Sequence, residues 1–291
     1  MRRALRFAAA AAATFLAAAA PAQQPAQAPA QPIRASKIVL VGDSTTAVVG
    51  GWGPSFCAFH VTSAGACVNL ARGGRSSGSY RAEGSWDIAL AEMKTRGYQD
   101  TWVLIQFGHN DQPGKPGRST DLKTEFPANL RRYVAEARAA GAKPVLLTPL
   151  TRRQFTAGTL TNDLEPWAEA VRRVAAETGT PLVDLNALSV KAVQAMGPAL
   201  AARFAQAAPS PEVAAAALTG TTIAASTGVA PAAPGAPAPA AQDNAAVEPL
   251  GQARLAFDYT HLGRTGADFF AAMVAQELAR QAPAMRRLLV P

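Results

Sequence analysis

The strongest constraint on this chain is a set of short, almost wholly apolar runs rich in Val, Ile and Leu, with helical patterns between several of them. Residues 37–41 read KIVLV and stop at Gly42, and residues 101–107 read TWVLIQF and stop at Gly108. Residues 143–147 and 181–185 give two further runs, and residues 66–70 a shorter one. A strand with one face in water alternates apolar and polar residues. These runs do not, so they suit strands covered on both faces. Residues 125–140 place Phe126, Leu130, Val134 and Ala137 at a helical period, with Gly141 behind them. Residues 162–178 form a second such pattern ending at Gly179, and 265–279 a third. Strands alternating with helices predict an α/β fold around a parallel sheet.

In open sheets of this kind, sites form outside the carboxyl ends of the strands. The run 37–41 leads into Gly42-Asp43-Ser44-Thr45, and the run 101–107 into Gly108-His109-Asn110-Asp111. A serine hydroxyl is a poor nucleophile until a base takes its proton. Where a strand gives way to a turn, backbone N–H groups are available to a developing oxyanion. The chain has three histidines, His60, His109 and His261. His261 closes the segment Asp258-Tyr259-Thr260-His261, a spacing that on one loop places a carboxylate beside Nδ1. Asn110 offers a side-chain amide from the end of another strand. Gly74, just past the run 66–70, offers a backbone N–H with no Cβ in the way. Each feature also has an ordinary use: an N-cap for Ser44, a surface pair for Asp258 and His261, plain turns for Asn110 and Gly74. Their order along the chain, each at the end of a predicted strand or before the last helix, sets them apart.

Together these segments resemble the characteristic blocks of the SGNH, or GDSL-type, hydrolases. Gly42-Asp43-Ser44 looks like the nucleophile block, with Thr45 where the family has leucine. Gly74 resembles the glycine block, Gly108-His109-Asn110-Asp111 the asparagine block, and Asp258-Tyr259-Thr260-His261 the acid–base block. A narrower resemblance, to the rhamnogalacturonan acetylesterase branch, rests on Thr45, Gly74-Arg75-Ser76-Ser77-Gly78-Ser79-Tyr80, Glu83-Gly84 and Phe107-Gly108-His109-Asn110-Asp111. The resemblance implies a three-layer α/β/α sandwich around a five-stranded parallel sheet, flavodoxin-like in strand order. It implies an acetyl ester hydrolase of pectin with no metal or organic cofactor. Ser44 would be the nucleophile, His261 the base and Asp258 its orienting carboxylate. The Ser44 and Gly74 N–H groups and the Asn110 side chain would form the oxyanion hole. Arg75, Tyr80 and Trp86 are candidates for a sugar site, with core packing or a surface salt bridge as the alternative. His109 is expected to be structural, Asp111 to bond within its own loop, and His60 to lie at the surface or cap a helix.

The remaining sequence sets the boundaries. Arg2, Arg3 and Arg6 precede an Ala-rich apolar run from Phe7 to Ala20, and Ala20-Pro21-Ala22 offers small residues for cleavage. This predicts a secretory signal over residues 1–22, and a secreted or periplasmic protein. The run is shorter than the roughly 20 residues that span a bilayer, so stable membrane insertion is not expected. Residues 23–35 are a Pro/Ala/Gln linker, and the hydrolase domain is expected over 36–285. Pro, Ala, Gly, Ser and Thr dominate 205–252, which predicts a long disordered insertion just before Asp258, with a transient helix as the alternative over residues 213–218. The net charge of +8 is spread along the chain, with no basic stripe for nucleic acid. A mildly basic surface suits an acidic polymer such as pectin. Cys57 and Cys67 are the only cysteines. In an oxidising compartment they would form one disulfide, and otherwise stand as two buried thiols. No cluster has metal-ligand spacing. The expected partner is an acetylated polysaccharide or a small ester, and the expected state a monomer. The alternatives are an SGNH esterase or lipase acting on acetylated xylan or a lipid ester, and a catalytically silent carbohydrate-binding protein on the same fold.

Overall fold

The computed structural model describes residues 34–225 and 255–291. The expected signal (1–22), nearly all of the expected linker (23–35) and residues 226–252 of the expected insertion lie outside the described residues. In chain order the first elements are β1 (Ser36–Gly42), α1 (Gly53–Phe59), β2 (Gly65–Asn69), α2 (Ser79–Ala82), α3 (Ser85–Met93) and β3 (Thr101–Gln106). Next come α4 (Glu125–Ala139), β4 (Lys143–Leu147), β5 (Phe155–Thr156), β6 (Thr159–Leu160), α5 (Glu165–Thr178) and β7 (Leu182–Val183). The chain continues through α6 (Leu185–Ala201), α7 (Pro211–Leu218) and α8 (Arg264–Gln281).

Five strands pair in the order β2-β1-β3-β4-β7, all parallel. This is the flavodoxin-type doubly wound order. Successive side chains point to opposite faces, and each strand feeds two cores. Ile38, Leu40, Trp102, Leu104, Val145 and Leu147 meet residues of α1, α6 and α8 on one face. Val39, Val41, Val103, Ile105 and Leu146 meet residues of α3, α4 and α5 on the other. That explains why the strand runs lack polar alternation. The helix facing works the same way: Phe126, Leu130, Tyr133, Val134 and Ala137 form one buried stripe of α4. Burial of each large apolar side chain stabilises the fold by roughly 1.5–3 kcal/mol. Cys57 of α1 and Cys67 of β2 are joined by a disulfide, with Cα atoms 5.4 Å apart.

Two sequence expectations need correction. The strand expected over 181–185 is only Leu182–Val183, because Asp184 starts a helix: its carboxylate accepts from Ala187 N at 3.3 Å. That helix, α6, escapes a period search because Gly197 (φ 70°) and Pro198 break its regularity. The second correction concerns the insertion, whose first part is folded. The Ser210 hydroxyl accepts from Val213 N and caps α7, and Val213 and Ala217 are buried. Residues 220–222 then bond to the β5–β6 hairpin. Gly158 N donates to Gly220 O (2.8 Å), Thr222 N to Phe155 O (2.9 Å) and Phe155 N to Thr222 Oγ1 (2.8 Å). Alanine is the best helix former, and Ser-Pro is a helix-start pair. The Ala-rich composition that suggests disorder is here a helix with a small apolar face.

Candidate active site

The first part of the site is the turn leaving β1. Gly42 faces Gln106 across the sheet, and a Cβ on Gly42 would lie 2.6 Å from the Gln106 carbonyl oxygen. Glycine therefore lets the ends of β1 and β3 close together. The Asp43 carboxylate accepts from the Thr45 N–H (2.9 Å) and hydroxyl (2.7 Å). Gln106 Nε2 donates to Thr45 Oγ1 (2.8 Å), while its Oε1 accepts from Thr46 Oγ1 (3.2 Å) and Trp52 Nε1 (2.8 Å). Threonine in place of an apolar residue at 45 is thus a link between Asp43 and Gln106. Ser44 stands on this turn, 6% exposed. His109 Nδ1 lies 3.4 Å from the Asp43 carboxylate, both side chains being buried. Burial alone would raise the Asp43 pKa, but His109 and the Thr45 hydrogen bonds hold it lowered. Burial lowers His109 despite Asp43. An ionised Asp43 beside a neutral imidazole supports the turn from below.

The second part joins the loops after β2 and β3. Gly74 has φ +77°, a backbone conformation that suits glycine. Asn110 Nδ2 donates to the Arg75 carbonyl (3.1 Å), and Arg118 Nη1 lies 3.4 Å from both Gly74 O and Asn110 Oδ1. Asp111 locks the two loops: its Oδ1 accepts from Ser77 N (3.0 Å), Ser77 Oγ (2.6 Å) and Thr120 Oγ1 (2.9 Å). Its partners therefore extend beyond its own loop. Burial pushes the Asp111 carboxyl up to about 7 against these hydrogen bonds.

The third part is the segment before α8. Asp258 Oδ1 accepts from the N–H groups of Thr260 and His261, both at 2.7 Å, and Oδ2 lies 2.6 Å from His261 Nδ1. Burial would raise the Asp258 pKa, but these bonds and His261 hold it at about 2. With Nδ1 occupied by the carboxylate, Nε2 is left as the basic nitrogen. Leu262 N donates to Gly50 O (2.8 Å), and His261 Cδ2 lies 3.2 Å from the position of a Cβ on Gly50. The imidazole therefore rests on the far end of the turn that starts at Asp43 and Ser44. Ser44 and His261 share no hydrogen bond among the described residues. Catalytic hydrogen bonds are often long without substrate.

The structure does not bring the expected sugar contacts to the surface. Arg75, Tyr80 and Trp86 are each at most 1% exposed. Arg75 Nε donates to Glu83 (2.9 Å), Tyr80 OH to Leu70 O (2.8 Å) and Trp86 Nε1 to Glu136 (2.5 Å). All three belong to the interior, and a polysaccharide cannot touch them. His60 follows α1, with its Nδ1 2.7 Å from Val290 O. Sequence reading missed Gln106 and Arg153, which bond to the motifs rather than belonging to them, and it gave no role to Ser77, which lies inside the segment 74–80. A glutamine as the final residue of an apolar strand was the visible sign of the first. No metal-ligand cluster occurs among the described residues, and no described helix is long and apolar enough to cross a membrane.

The fold and these loops define a doubly wound α/β protein with its polar residues gathered at the carboxyl ends of adjacent strands. The GDSL-like Lipase/Acylhydrolase family model matches residues 40–195, more than half of the chain, and the chain belongs to that family. It is 36% identical over 158 residues to the probable rhamnogalacturonan acetylesterase YesY of Bacillus subtilis, covering 52% of this chain and 70% of that protein. It is 37% identical over 171 residues to the rhamnogalacturonan acetylesterase RhgT of the same organism, covering 56% and 70%. The crystal structure of Bacillus subtilis YxiM shares the fold, with a TM-score of 0.56 at 22% identity. That match covers 87% of this chain and 59% of the YxiM chain.

Proposed function

We propose that this SGNH-type ester hydrolase removes acetyl groups from rhamnogalacturonan through an acyl-enzyme on Ser44. The observation that carries the reading is the 2.6 Å contact of Asp258 with His261 Nδ1, on a segment bonded to the end of the Ser44 turn. In this reading Ser44 Oγ attacks the acetyl carbonyl as His261 Nε2 takes its proton. The Ser44 and Gly74 N–H groups and the Asn110 amide receive the oxyanion. Collapse of the tetrahedral intermediate breaks the bond to the sugar oxygen, which takes the proton from His261. Water, deprotonated by the same histidine, then releases acetate and restores Ser44.

The pectic substrate is supported by the names of the two relatives, whose similarity covers about half of this chain. The rim beside Asn110 adds a physical reason. Burial lowers the Lys115 ammonium and the nearby Arg152 and Arg118 lower it further, against Asp163, which pairs with Arg152, and Asp43, so three cations face two carboxylates there. A cationic rim suits a carboxylate-bearing polymer better than a neutral one. Export from the cytoplasm belongs to the same proposal, supported by the Arg-then-apolar N-terminal sequence and by the disulfide.

Ser44→Ala is the direct test. It should lower kcat on p-nitrophenyl acetate by at least about 10⁴-fold and remove fluorophosphonate labelling, with the thermal melt unchanged. Near wild-type turnover would remove Ser44 from the role. Acetate release from acetylated rhamnogalacturonan and from acetylated xylan decides the substrate, and a preference for xylan would overturn the pectic assignment.

A further inference from the structure

Arg153 lies between β4 and the β5–β6 hairpin, far in sequence from the candidate base, and is 1% exposed. Among the described residues no carboxylate takes a hydrogen bond from it. Nη2 donates to the carbonyls of Asp258 (2.9 Å) and His261 (2.8 Å), and Nη1 to that of Thr260 (3.2 Å). Its own backbone N–H donates to Tyr259 O (2.9 Å). Every carbonyl of the segment Asp258-Tyr259-Thr260-His261 is therefore held by this one residue. Guanidinium is a planar fork of five donors, so it holds several acceptors at fixed angles, which a lysine or glutamine cannot reproduce. Burial pushes its pKa down to about 10 against the pull of Asp258, which leaves it cationic at neutral pH. A buried cation is unfavourable where an apolar side chain would fill the same space. Four carbonyls that take no other hydrogen bond among the described residues account for its presence. The Asp258 side chain ties the segment from within, through the N–H groups of Thr260 and His261. Arg153 ties it from outside.

We infer that Arg153 is the positioning residue of the His261 base, fixing the segment so that the imidazole stays on Asp258 and over the Ser44 turn. The inference rests on the catalytic reading of Ser44, Asp258 and His261 given above. Misplacement of a catalytic group by about 1 Å costs on the order of 10²-fold in rate, and a positioning role predicts its loss in kcat.

The test is a double-mutant cycle in the full chain. Arg153→Gln and Arg153→Lys are made in the wild type and in His261→Ala, and kcat and KM for p-nitrophenyl acetate are measured per folded molecule. Arg153→Gln should lower kcat about 10- to 10²-fold with KM within about twofold, and Arg153→Lys should recover part of that loss. In the His261→Ala background the same substitutions should change the residual rate less than about twofold, because no base remains to be positioned. If the glutamine variant does not fold, the lysine variant carries the cycle. An unchanged kcat, a loss confined to KM, or an equal loss with and without His261 would overturn the inference. Wild-type turnover in His261→Ala alone would instead sink the assignment of the base, and the inference with it.

Discussion

Ser44 and Asn110 sit on turns whose buried side chains bond to one another across adjacent strand ends, whereas Asp258 and His261 sit on a segment held from a distance. On the first side Asp43, Thr45, Gln106, Ser77 and Asp111 make overlapping bonds, so no single one carries the geometry. On the second side one arginine meets every carbonyl of the segment, and Tyr259 OH anchors it to Ile223 O at 2.7 Å. The sheet thus builds the half proposed to hold the nucleophile and the oxyanion at its own strand ends. The half proposed to handle the proton is attached to it. Redundant bonding makes the first half tolerant of conservative change, while the second depends on a few long-range partners.

Three substitutions sharpen or break that contrast, in falling order of effect. Asn110→Ala removes the donor proposed to meet charge only in the tetrahedral intermediate. It should cut kcat by about 10²–10³-fold, roughly 3–4 kcal/mol, with little change in KM. An unchanged kcat in steady-state kinetics would reduce Asn110 to a loop residue. Asp111→Asn tests the bonding on the same side. Burial lifts its carboxyl to about 7, above the 3.8 of an unburied aspartate, so the folded chain holds this proton more tightly than the unfolded one. The stability it contributes is fully present below pH 3.8 and is lost as pH rises through about 7. The slope approaches 1.4 kcal/mol per pH unit at most. Asparagine keeps Oδ1 as an acceptor for Ser77 and Thr120, and should flatten that slope. Parallel melting profiles for the two proteins between pH 4 and 7 would refute it. Tyr259→Phe is the mildest. Loss of the bond to Ile223 should cost about 1 kcal/mol in a denaturant melt, with kcat nearly unchanged. A large fall in kcat would show that residues 220–223 steer the base and are not a peripheral anchor.

The same contrast governs what could be read from the sequence. Strands β1, β3 and β4 were legible because burial on both faces leaves unbroken apolar runs, and the Ser44 and Asn110 motifs were legible because they follow those runs directly. Arg153 was not, since an arginine in a loop carries no mark of burial, and its acceptors lie more than a hundred residues away. Arg75, Tyr80 and Trp86 stay open between a sugar site and the core for the opposite reason: residue types that bind sugars also fill cores when Glu83, the Leu70 carbonyl and Glu136 accept their polar atoms. The Ala-rich stretch reads as disordered with at most a transient helix over residues 213–218, because composition does not show that Val213 and Ala217 of α7 are buried.

The bonds that bring the two halves together have a consequence for how activity is acquired. Leu262 bonds to Gly50, and Ser55 Oγ donates to Asp268 across 213 positions of sequence. Closing so long a loop is entropically expensive and late in a folding reaction dominated by nearer contacts. The Ser44 turn and the strands beside it can assemble while α8 is still unplaced, giving a chain with most of its sheet and no functioning base. In a refolding experiment, ester hydrolysis should therefore return after the far-ultraviolet signal of secondary structure. During synthesis, the proposed site stays incomplete until the segment 258–261 and α8 have emerged.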